Sequence, residues 1–328
     1  MVSVITAVFN AEKFLTYTVA SVASQSKKPL EHILIDDCST DGSLALAQEL
    51  AQRYSNIRVI KQTQNLGYPS SLNQAIAEAR SEYIAIIDSD DIALPDWIES
   101  VLSLIQSRPE IGSVGGGCMI ITEAGKMTGS VDYCKASGDV TDLVAKGEYP
   151  LLHGGSIHKK SVLSAIGGYN PQLKSLEDND IFLGVASLAR IYHIGKPLIL
   201  YRRRRASESR KTLEFSKAAG EFLHAKARLL KSGMTVPQAN FMLHSKIVEL
   251  QTINRLAPIK NGDYEFELAM AFESGGKKIA ALGLFLVSIY KGSSSKYVFL
   301  GIMRCFIPKY AYRVLKKLLL SRRSSSYK

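Results

Sequence analysis

The sequence predicts an α/β fold in which a largely parallel sheet is covered by helices, followed by a helical C-terminal region. Short apolar runs rich in β-forming residues alternate with segments of helical periodicity, and two of these runs end abruptly in carboxylates. Strands that alternate with helices of this length imply βαβ crossovers and a parallel sheet. At 328 residues the chain exceeds the usual domain size, so one large domain with an appendage is expected.

The first part of the chain, to about residue 110, supplies four strands with a helix after each. A continuous apolar run is typical of a strand that is buried on both faces, as in a parallel sheet. The predicted strands are Val2–Phe9, Leu30–Asp37, Ile57–Lys61 and Tyr83–Asp88. The predicted helices are Ala11–Ser26, Ser43–Tyr54, Ser70–Arg80 and Pro95–Ser107.

The second part of the chain is less regular and then becomes helical. Further strands are predicted at Ile111–Thr122 (interrupted by three glycines at 115–117), Leu151–Ser156 and Ala189–Arg202. Helices are predicted at Lys160–Ile166, Asp180–Ala189, Lys211–Lys231, Pro237–Leu256 and Tyr264–Glu273. We therefore expect an α/β domain over residues 1–210, divided near residue 110, and a helical region over residues 211–328.

Composition indicates a folded protein of a reducing compartment. Hydrophobic residues make up 46% of the chain, which is enough for a substantial core. The four cysteines, at 38, 118, 134 and 305, show no paired spacing, which argues against a zinc site and against a disulfide framework. The predicted first strand begins at Val2 with no signal peptide before it, so we expect a cytoplasmic protein.

Carboxylates follow two of the predicted strands, Asp36 and Asp37 after the second and Asp88 and Asp90 after the fourth. Ligands of open α/β sheets bind at the carboxyl ends of the strands, where crowded carboxylates call for a cation. Mg²⁺ takes oxygen ligands and usually keeps substrate phosphates in its shell, so Asp88 and Asp90 are candidates for holding a metal–diphosphate. The alternative is that these residues are ordinary loop carboxylates and helix N-caps.

Taken together, the motifs resemble family 2 glycosyltransferases of the GT-A fold over roughly residues 1–205. Each piece is weak alone, and the specificity lies in their order and spacing. The matching segments are residues 4–10 (VITAVFN), 36–43 (DDCSTDGS), 65–67 (NLG), 88–91 (DSDD), 167–169 (GGY) and 177–180 (EDND).

The resemblance implies a mixed Rossmann-like sheet, a nucleotide-diphosphate sugar donor and an inverting transfer. Asp88 and Asp90 match the family's Asp-x-Asp motif, which contacts ribose and the Mg²⁺ or Mn²⁺ on the diphosphate. Asp178 matches the Asp of the family's Glu-Asp motif, the expected catalytic base. The residues expected to face the nucleotide are Thr6, Val8, Asn10, Asp36 and Asp37.

The chemistry of glycosyl transfer agrees with these assignments. Charge develops on the departing diphosphate, and a divalent cation stabilises it. Inversion by a single displacement needs one base that deprotonates the acceptor hydroxyl. The alternative for Asp178 is an N-cap of the helix that follows, a role that is compatible with the first.

A basic run, Tyr201 to Arg205, follows the last predicted strand of the catalytic domain. The family often carries a His that completes the metal shell where this chain has Arg204, and guanidinium groups bind phosphate in bidentate fashion. Arg204 is thus a candidate diphosphate partner, with a solvated charge run as the alternative. Residues His153 and His158, near the expected acceptor side, are left outside the predicted site.

The positive charge is concentrated in the tail. Residues 274–328 hold 12 Lys or Arg and no Asp or Glu, whereas the formal net charge of the whole chain is +11. Ile279–Tyr290 is an apolar run too short to span a bilayer, and Pro308–Arg323 has the pattern of a basic amphipathic helix. We expect contact with an anionic membrane surface, with packing on the core as the alternative, and no nucleic-acid partner, because no stacking motif or recognition helix accompanies the charge.

The predicted function is transfer of a sugar, most simply from a UDP-sugar, to a glycan or a lipid-linked acceptor of surface polysaccharide at the inner face of the membrane. A sugar-nucleotide nucleotidyltransferase is disfavoured because the loop after the first strand contains no glycine. A non-catalytic nucleotide-sugar-binding protein is disfavoured by the intact acidic motifs. A dinucleotide dehydrogenase lacks its Gly-x-Gly-x-x-Gly after the first strand.

Overall fold

The structure is a computed structural model, and it describes residues 1–133, 136–173, 176–204, 213–256, 263–290 and 305. It confirms a mixed α/β fold followed by helices. The strands are β1 (Val2–Val8), β2 (Glu31–Asp36), β3 (Ile57–Lys61), β4 (Tyr83–Ile86), β5 (Ile92–Ala93), β6 (Ile111–Ile121), β7 (Met127–Asp132), β8 (Gly138–Asp139), β9 (Ile157–Lys159) and β10 (Arg190–Arg202).

The helices follow the strands closely in the first part of the chain and dominate the last. They are α1 (Leu15–Ala23), α2 (Ser43–Arg53), α3 (Tyr68–Glu78), α4 (Trp97–Ser107), α5 (Thr141–Ala145), α6 (Lys160–Ala165), α7 (Glu177–Ala186), α8 (Leu213–Lys231), α9 (Val236–Met242), α10 (His244–Leu256), α11 (Asp263–Ser274) and α12 (Lys278–Tyr290).

The order of strands in the sheet is β3-β2-β1-β4-β9-β6-β10-β5. The first four strands are parallel, and β9 pairs antiparallel with both β4 and β6. The residues of β1, β2 and β4 are almost all buried, as expected of strands covered on both faces. Since β2 and β4 lie on either side of β1 and run in the same direction, their carboxyl ends lie at the same edge of the sheet, which we call the carboxyl edge.

Several expected elements of the second part of the chain were wrong. Leu151–Ser156 is not a strand, because Gly155 adopts φ +87° in a turn and the strand there is β9. The glycines at 115–117 do not interrupt β6. A Cβ at Gly116 would lie only 2.7 Å from the carbonyl oxygen of Lys196 in β10, so glycine at this position allows the backbones of the two strands to approach closely.

Helix boundaries also differ from the expectation in this part. The helix expected at Asp180–Ala189 begins three residues earlier, at Glu177, where acidic side chains interact favourably with the positive end of the helix. The single helix expected at Pro237–Leu256 is two helices, α9 and α10, with Leu243 between them.

The chain forms two compact units. The first comprises residues 1–119, 132–201 and 208–257, and the second comprises residues 120–131, 202–207 and 258–328. Helices α8, α9 and α10 thus belong to the first unit, while a domain boundary near residue 210 stays a prediction. Among the described residues, no helix is both long and apolar enough to span a bilayer. The expected tail helix Pro308–Arg323 and Arg205 lie outside the described residues.

Candidate active site

Two buried aspartates at the end of β2 accept hydrogen bonds from the backbone of neighbouring loops. Asp37 accepts hydrogen bonds from the backbone N–H groups of Leu66, at 2.7 Å, and Gly67, at 2.9 Å. Asp36 accepts one from the N–H of Ser39 through Oδ2, and its buried Oδ1 has no hydrogen-bond partner within the described part of the chain. Asp37 therefore fixes the segment before α3, and Asp36 retains an unused acceptor atom at the carboxyl edge.

Thr6, Val8 and Asn10, which were predicted to face the nucleotide from β1 and the loop after it, differ in how exposed their side chains are. Thr6 is buried, and its hydroxyl lies 2.9 Å from Nε2 of His32. Val8 is buried in the apolar core. Asn10 is exposed, has φ +51°, and accepts a hydrogen bond from the N–H of Thr40 at 2.8 Å. Only Asn10 therefore exposes its side chain at the carboxyl edge.

The Asp-x-Asp residues lie on one tight turn after β4. The N–H of Asp91 donates to the carbonyl of Asp88 at 3.2 Å, with Ser89 and Asp90 at the centre of the turn. Asp88 and Asp90 are partly buried, whereas Asp91 is buried and its carbonyl accepts a hydrogen bond from the hydroxyl of Thr18. The turn holds the two predicted metal ligands two residues apart on a backbone anchored to α1.

Tyr68, which the sequence analysis did not single out, connects the two acidic strand ends. Its hydroxyl donates to Oδ1 of Asp88 at 2.7 Å. The residue before it, Gly67, is held by Asp37 and has φ +85°, a conformation that glycine adopts without strain. The segment at the start of α3 therefore bridges Asp37 and Asp88 across the end of β1.

The loop before β9 closes against the same turn. A Cβ placed on Gly154 would lie 3.5 Å from Oδ2 of Asp91 and 3.7 Å from Oδ2 of Asp88. Gly155 is fixed in place, since its N–H donates to the carbonyl of Ile86 and its own carbonyl accepts from Nε1 of Trp97. A larger side chain at position 154 would crowd both carboxylates.

Beside this loop lies a buried group of rings, Tyr68, His153 and Tyr169, which we call the His153 cluster. The hydroxyl of Tyr169 lies 2.7 Å from Nε2 of His153, and the rings of Tyr68 and His153 meet edge to face with centroids 6.2 Å apart. Asn73 of α3 holds the backbone of Tyr169 through both its N–H and its carbonyl. Helix α3 thus contributes to the cluster through one side chain and supports it through another.

Asp178 lies in the first turn of α7. The N-cap of this helix is Leu176, so the alternative in which Asp178 is the N-cap was wrong. The carboxylate of Asp178 accepts a hydrogen bond from the N–H of Asn179 at 2.7 Å and is partly buried. Its position at a helix N-terminus favours the charged form, as expected of a group that must accept a proton.

Asp88 and Asp178 both influence the pKa values of residues in the His153 cluster. Burial raises the pKa of Tyr169 well above its usual value, and the charges of Glu177, Asp178 and Asp88 raise it further. Burial lowers the pKa of His153 to about 4, against the opposing effect of Asp178. The predicted metal ligand Asp88 and the predicted base Asp178 therefore both act on the same buried rings.

The structure does not test every predicted role. Arg204 belongs to the second compact unit, so its role as a diphosphate partner stays a prediction. The sequence analysis missed Tyr68, quoted Tyr169 only as part of the Gly-Gly-Tyr segment without a role, and left out His153. Tyr68 directly follows the Asn-Leu-Gly segment, and His153 directly precedes a Gly-Gly pair beside a buried strand; these placements were the available signals.

Comparison with known proteins finds a family that matches the first part of the chain. Residues 3–140 match the model of glycosyl transferase family 2. The chain is 32% identical over 185 residues to the putative glycosyltransferase EpsE of Bacillus subtilis, covering 56% of this chain and 65% of that protein, slightly less than two thirds of its length. It is 24% identical over 272 residues to the amylovoran biosynthesis glycosyltransferase AmsE of Erwinia amylovora, covering 81% of this chain and 98% of that protein.

Solved structures with the same fold include two complexes with nucleotide sugars. S. aureus TarS 1–349 in complex with UDP-GlcNAc superposes with a TM-score of 0.57 at 17% identity, covering 100% of this chain and 93% of that chain. The mannosyltransferase PcManGT from Pyrobaculum calidifontis, in complex with GDP-Man and Mn²⁺, superposes with a TM-score of 0.54 at 16% identity, covering 97% and 84%. At these identities the likeness concerns the fold. Residues 3–140 thus form a domain that matches glycosyl transferase family 2, and the chain has the GT-A fold.

Proposed function

We propose that this chain is a metal-dependent, inverting glycosyltransferase that moves a sugar from a UDP-sugar to a glycan or lipid-linked acceptor of surface polysaccharide. The observation that carries the proposal is the His153 cluster, because Asp88 and Asp178 both act on its Tyr169. An inverting transfer needs a diphosphate-holding group and a base on opposite sides of one sugar. Asp88 and Asp178, which both act electrostatically on Tyr169, are the pair that would meet this need.

The metal would be held by Asp88 and Asp90. Within the described residues no group of three or more His, Cys, Asp or Glu is arranged to hold a metal ion. Two carboxylates on one turn fit the way in which Mg²⁺ is usually bound, by one or two carboxylates together with substrate phosphates and waters. When bound, the cation stabilises the negative charge of the departing diphosphate. Tyr68 orients the Asp88 carboxylate through its hydrogen bond.

The nucleoside would lie against the ends of β1 and β2. Asp36 offers a buried, unused acceptor atom there, and Asn10 offers an exposed amide. Asp37 keeps lone pairs beyond the two N–H groups it already binds, so it can also accept from the base. TarS has been solved with UDP-GlcNAc, which supports UDP as the nucleotide for the same fold.

Asp178 would accept the proton of the acceptor hydroxyl as that oxygen attacks the sugar. This carboxylate accepts a hydrogen bond from the N–H of Asn179, and its place in the first turn of α7 favours its charged form. The neighbouring His153, whose pKa is lowered to about 4, is neutral at pH 7 and does not compete for the proton. The likeness to AmsE, a glycosyltransferase of amylovoran biosynthesis, supports the proposed acceptor class.

We also propose peripheral contact with the inner face of an anionic membrane. On α12 the apolar side chains of Ile279, Leu286 and Val287 are exposed and lie on one side of the helix, seven and eight residues apart. Lys277 and Lys278 are exposed at its start. Apolar side chains next to cations favour an anionic lipid surface. Sedimentation with phosphatidylglycerol vesicles but not with phosphatidylcholine vesicles is expected, and equal binding to both would contradict it.

The test of the enzymatic proposal separates the two carboxylate roles. Calorimetry with UDP should show binding that depends on Mn²⁺, and a panel of UDP-sugars should reveal Mn²⁺-dependent hydrolysis or transfer. Asp90→Asn should lose the Mn²⁺-dependent part of UDP binding. Asp178→Asn should keep UDP binding while turnover falls by about 10²–10⁴-fold, the usual contribution of a general base.

A matched control is Asp96→Asn. Asp96 is an exposed carboxylate of the first unit that pairs with Lys196 at the surface, and exposed pairs contribute little to stability. The control should bind UDP and turn over as the unsubstituted protein does. The proposal fails if the unsubstituted protein shows no metal-dependent UDP binding, or if Asp178→Asn turns over as fast as the control.

A further inference from the structure

Helix α7, which carries Asp178, has apolar contacts on two sides and one buried charge between them. Ile181, Phe182 and Val185 pack in the main core beside the sheet. Leu183 packs in a second core, formed with α8 and α10. Asp180, two residues after Asp178, is only 3% exposed. The first turn of α7 is thus anchored between two cores and contains a carboxylate with little access to water.

The counter-charge of Asp180 comes from Lys226, in the middle of α8 and 46 residues away in sequence. Its ammonium forms a salt bridge and hydrogen bond with Oδ1 of Asp180, and the lysine side chain is 0% exposed. Removing two charges from water costs several kcal/mol for each ion, and the attraction between them offsets this only in good geometry. A buried pair is therefore a weak source of stability, which leaves open what else it does.

The pair lies close to the catalytic carboxylate. The pKa of the partly buried Tyr149 is raised well above its usual value, first by burial and then by the charges of Asp180 and Asp178. These two carboxylates therefore share a neighbour as well as a helical turn. Close packing supports the same helix from α9, since a Cβ at Gly184 would lie 3.5 Å from Cγ2 of Val236.

We infer that Lys226 is a positioning residue for glycosyl transfer: through its buried pair with Asp180 it fixes the first turn of α7, and with it the carboxylate of Asp178. The inference rests on the proposed function, and it assigns the helices after residue 212 a part in the reaction. Asp178 must lie within hydrogen-bond reach of the acceptor hydroxyl, about 2.6–3.2 Å. The pair restricts rotation and sliding of the turn that holds it.

The test replaces the pair with apolar residues of similar size. Such a replacement is often neutral or stabilising, whereas removing one partner leaves an uncompensated charge. The double variant Lys226→Met/Asp180→Leu should therefore fold with a melting temperature near that of the unsubstituted protein. Its kcat should nonetheless be about 100-fold lower, the scale of a 1 Å misplacement, while the KM for donor and the Kd for UDP with Mn²⁺ stay unchanged.

A second measurement does not require activity. Hydrogen exchange of the backbone N–H groups at residues 177–181 should be faster in the double variant, while exchange in β1, β2 and β4 stays the same. If the apolar pair does not fold, Lys226→Gln/Asp180→Asn, which keeps a polar pair without charge, takes its place with the same expected results. The control is Lys231→Met, an exposed lysine on the same helix.

The outcomes separate this inference from the proposed function. A folded double variant with the kcat and the exchange of the unsubstituted protein would show that the pair is only structural, and would overturn the inference. An unsubstituted protein without metal-dependent UDP binding or transfer would overturn the proposed function instead, and the exchange measurement would still decide whether Lys226 fixes the first turn of α7.

Discussion

The carboxyl edge and the first turn of α7 hold their carboxylates in different ways. At the carboxyl edge, Asp37 is held by backbone N–H groups 29 and 30 residues away, and Asp88 by a tyrosine 20 residues away. At α7, the turn that carries Asp178 is held by a buried ion pair across 46 residues. One region is built from strand ends and the turns next to them, and the other depends on how a distant helix packs.

The difference teaches where each region is sensitive. A backbone N–H donates whatever side chain its residue carries. Replacing the donor residues at the carboxyl edge should therefore leave most of the hydrogen bonds to Asp37 in place. A buried ion pair depends on both partners at once, since removing one leaves the other without compensation. We therefore expect single substitutions near α7 to affect stability more than those at the carboxyl edge.

The largest effect expected on stability is that of Lys226→Met alone. It leaves Asp180 buried and without its counter-charge, so the free energy of unfolding should fall by about 3–5 kcal/mol. Urea denaturation measures the change. The exposed Lys231→Met on the same helix should change it by less than about 0.5 kcal/mol. Similar losses in the two variants would remove the distinction between the regions.

Acid should lower the free energy of unfolding because His32, in strand β2 of the carboxyl edge, is buried in its neutral form. Burial lowers the pKa of this histidine to about 3, so between pH 6.5 and that value the unfolded chain binds a proton that the folded chain does not. Stability is complete above pH 6.5 and falls with pH below it, by about 1.4 kcal/mol for each pH unit per such histidine.

The measurement is the free energy of unfolding between pH 6.5 and 4.5 for the unsubstituted protein and for His32→Gln, which cannot titrate. The two curves should converge as the pH falls. Asp180 acts with the opposite sign, since burial raises its pKa and the folded chain binds its proton more readily. Parallel curves for the two proteins would contradict the assignment to His32.

At the carboxyl edge, Tyr68→Phe removes the hydroxyl that orients Asp88. Residues that orient a metal ligand commonly contribute about 10–100-fold to metal affinity, and we expect about 10-fold weaker binding of UDP in the presence of Mn²⁺. Binding without metal should not change. The matched control is Tyr83→Phe at the start of β4, the strand after which Asp88 stands. Equal affinity in both variants would leave Tyr68 without a positioning role.

The smallest effect is expected from Thr235→Ala at the N-cap of α9. Its hydroxyl and the side chain of Gln238 form a capping box, so the substitution should cost about 1 kcal/mol of stability. Turnover should not change, because the cap is local to α9. A loss of turnover there would mean that any weakening of the last helices affects Asp178, and that the Lys226–Asp180 pair has no special part.

The sequence predicted the carboxyl edge well for a physical reason. Buried parallel strands read as continuous apolar runs, and their ends show as abrupt changes to polar residues. The bounds of β1, β2 and β3 were therefore within a residue of the expected ones. The parallel pairing that puts Asp37 and Asp88 on either side of β1 follows from short crossovers between consecutive elements.

The sequence predicted the structure less well where the conformation depends on a glycine turn or on contacts between residues far apart in the chain. The segment before β9 has an apolar start but turns at Gly155, and no local pattern distinguishes it from a strand. Lys226 stands among other basic residues of α8 and has no sequence feature that marks it as buried. The hydrogen bond between Tyr169 and His153 joins two loops that follow unrelated elements.

The sequence by itself determined the family resemblance, the order of strands and helices in the first part of the chain, and the two acidic strand ends, because these depend on local composition and periodicity. Only the tertiary structure decided that Tyr68 reaches Asp88, that Asp88 and Asp178 both act on Tyr169, and that Lys226 neutralises Asp180. Those contacts depend on packing between segments far apart in the chain, where the free energy of burial selects the partner and the residue type alone does not.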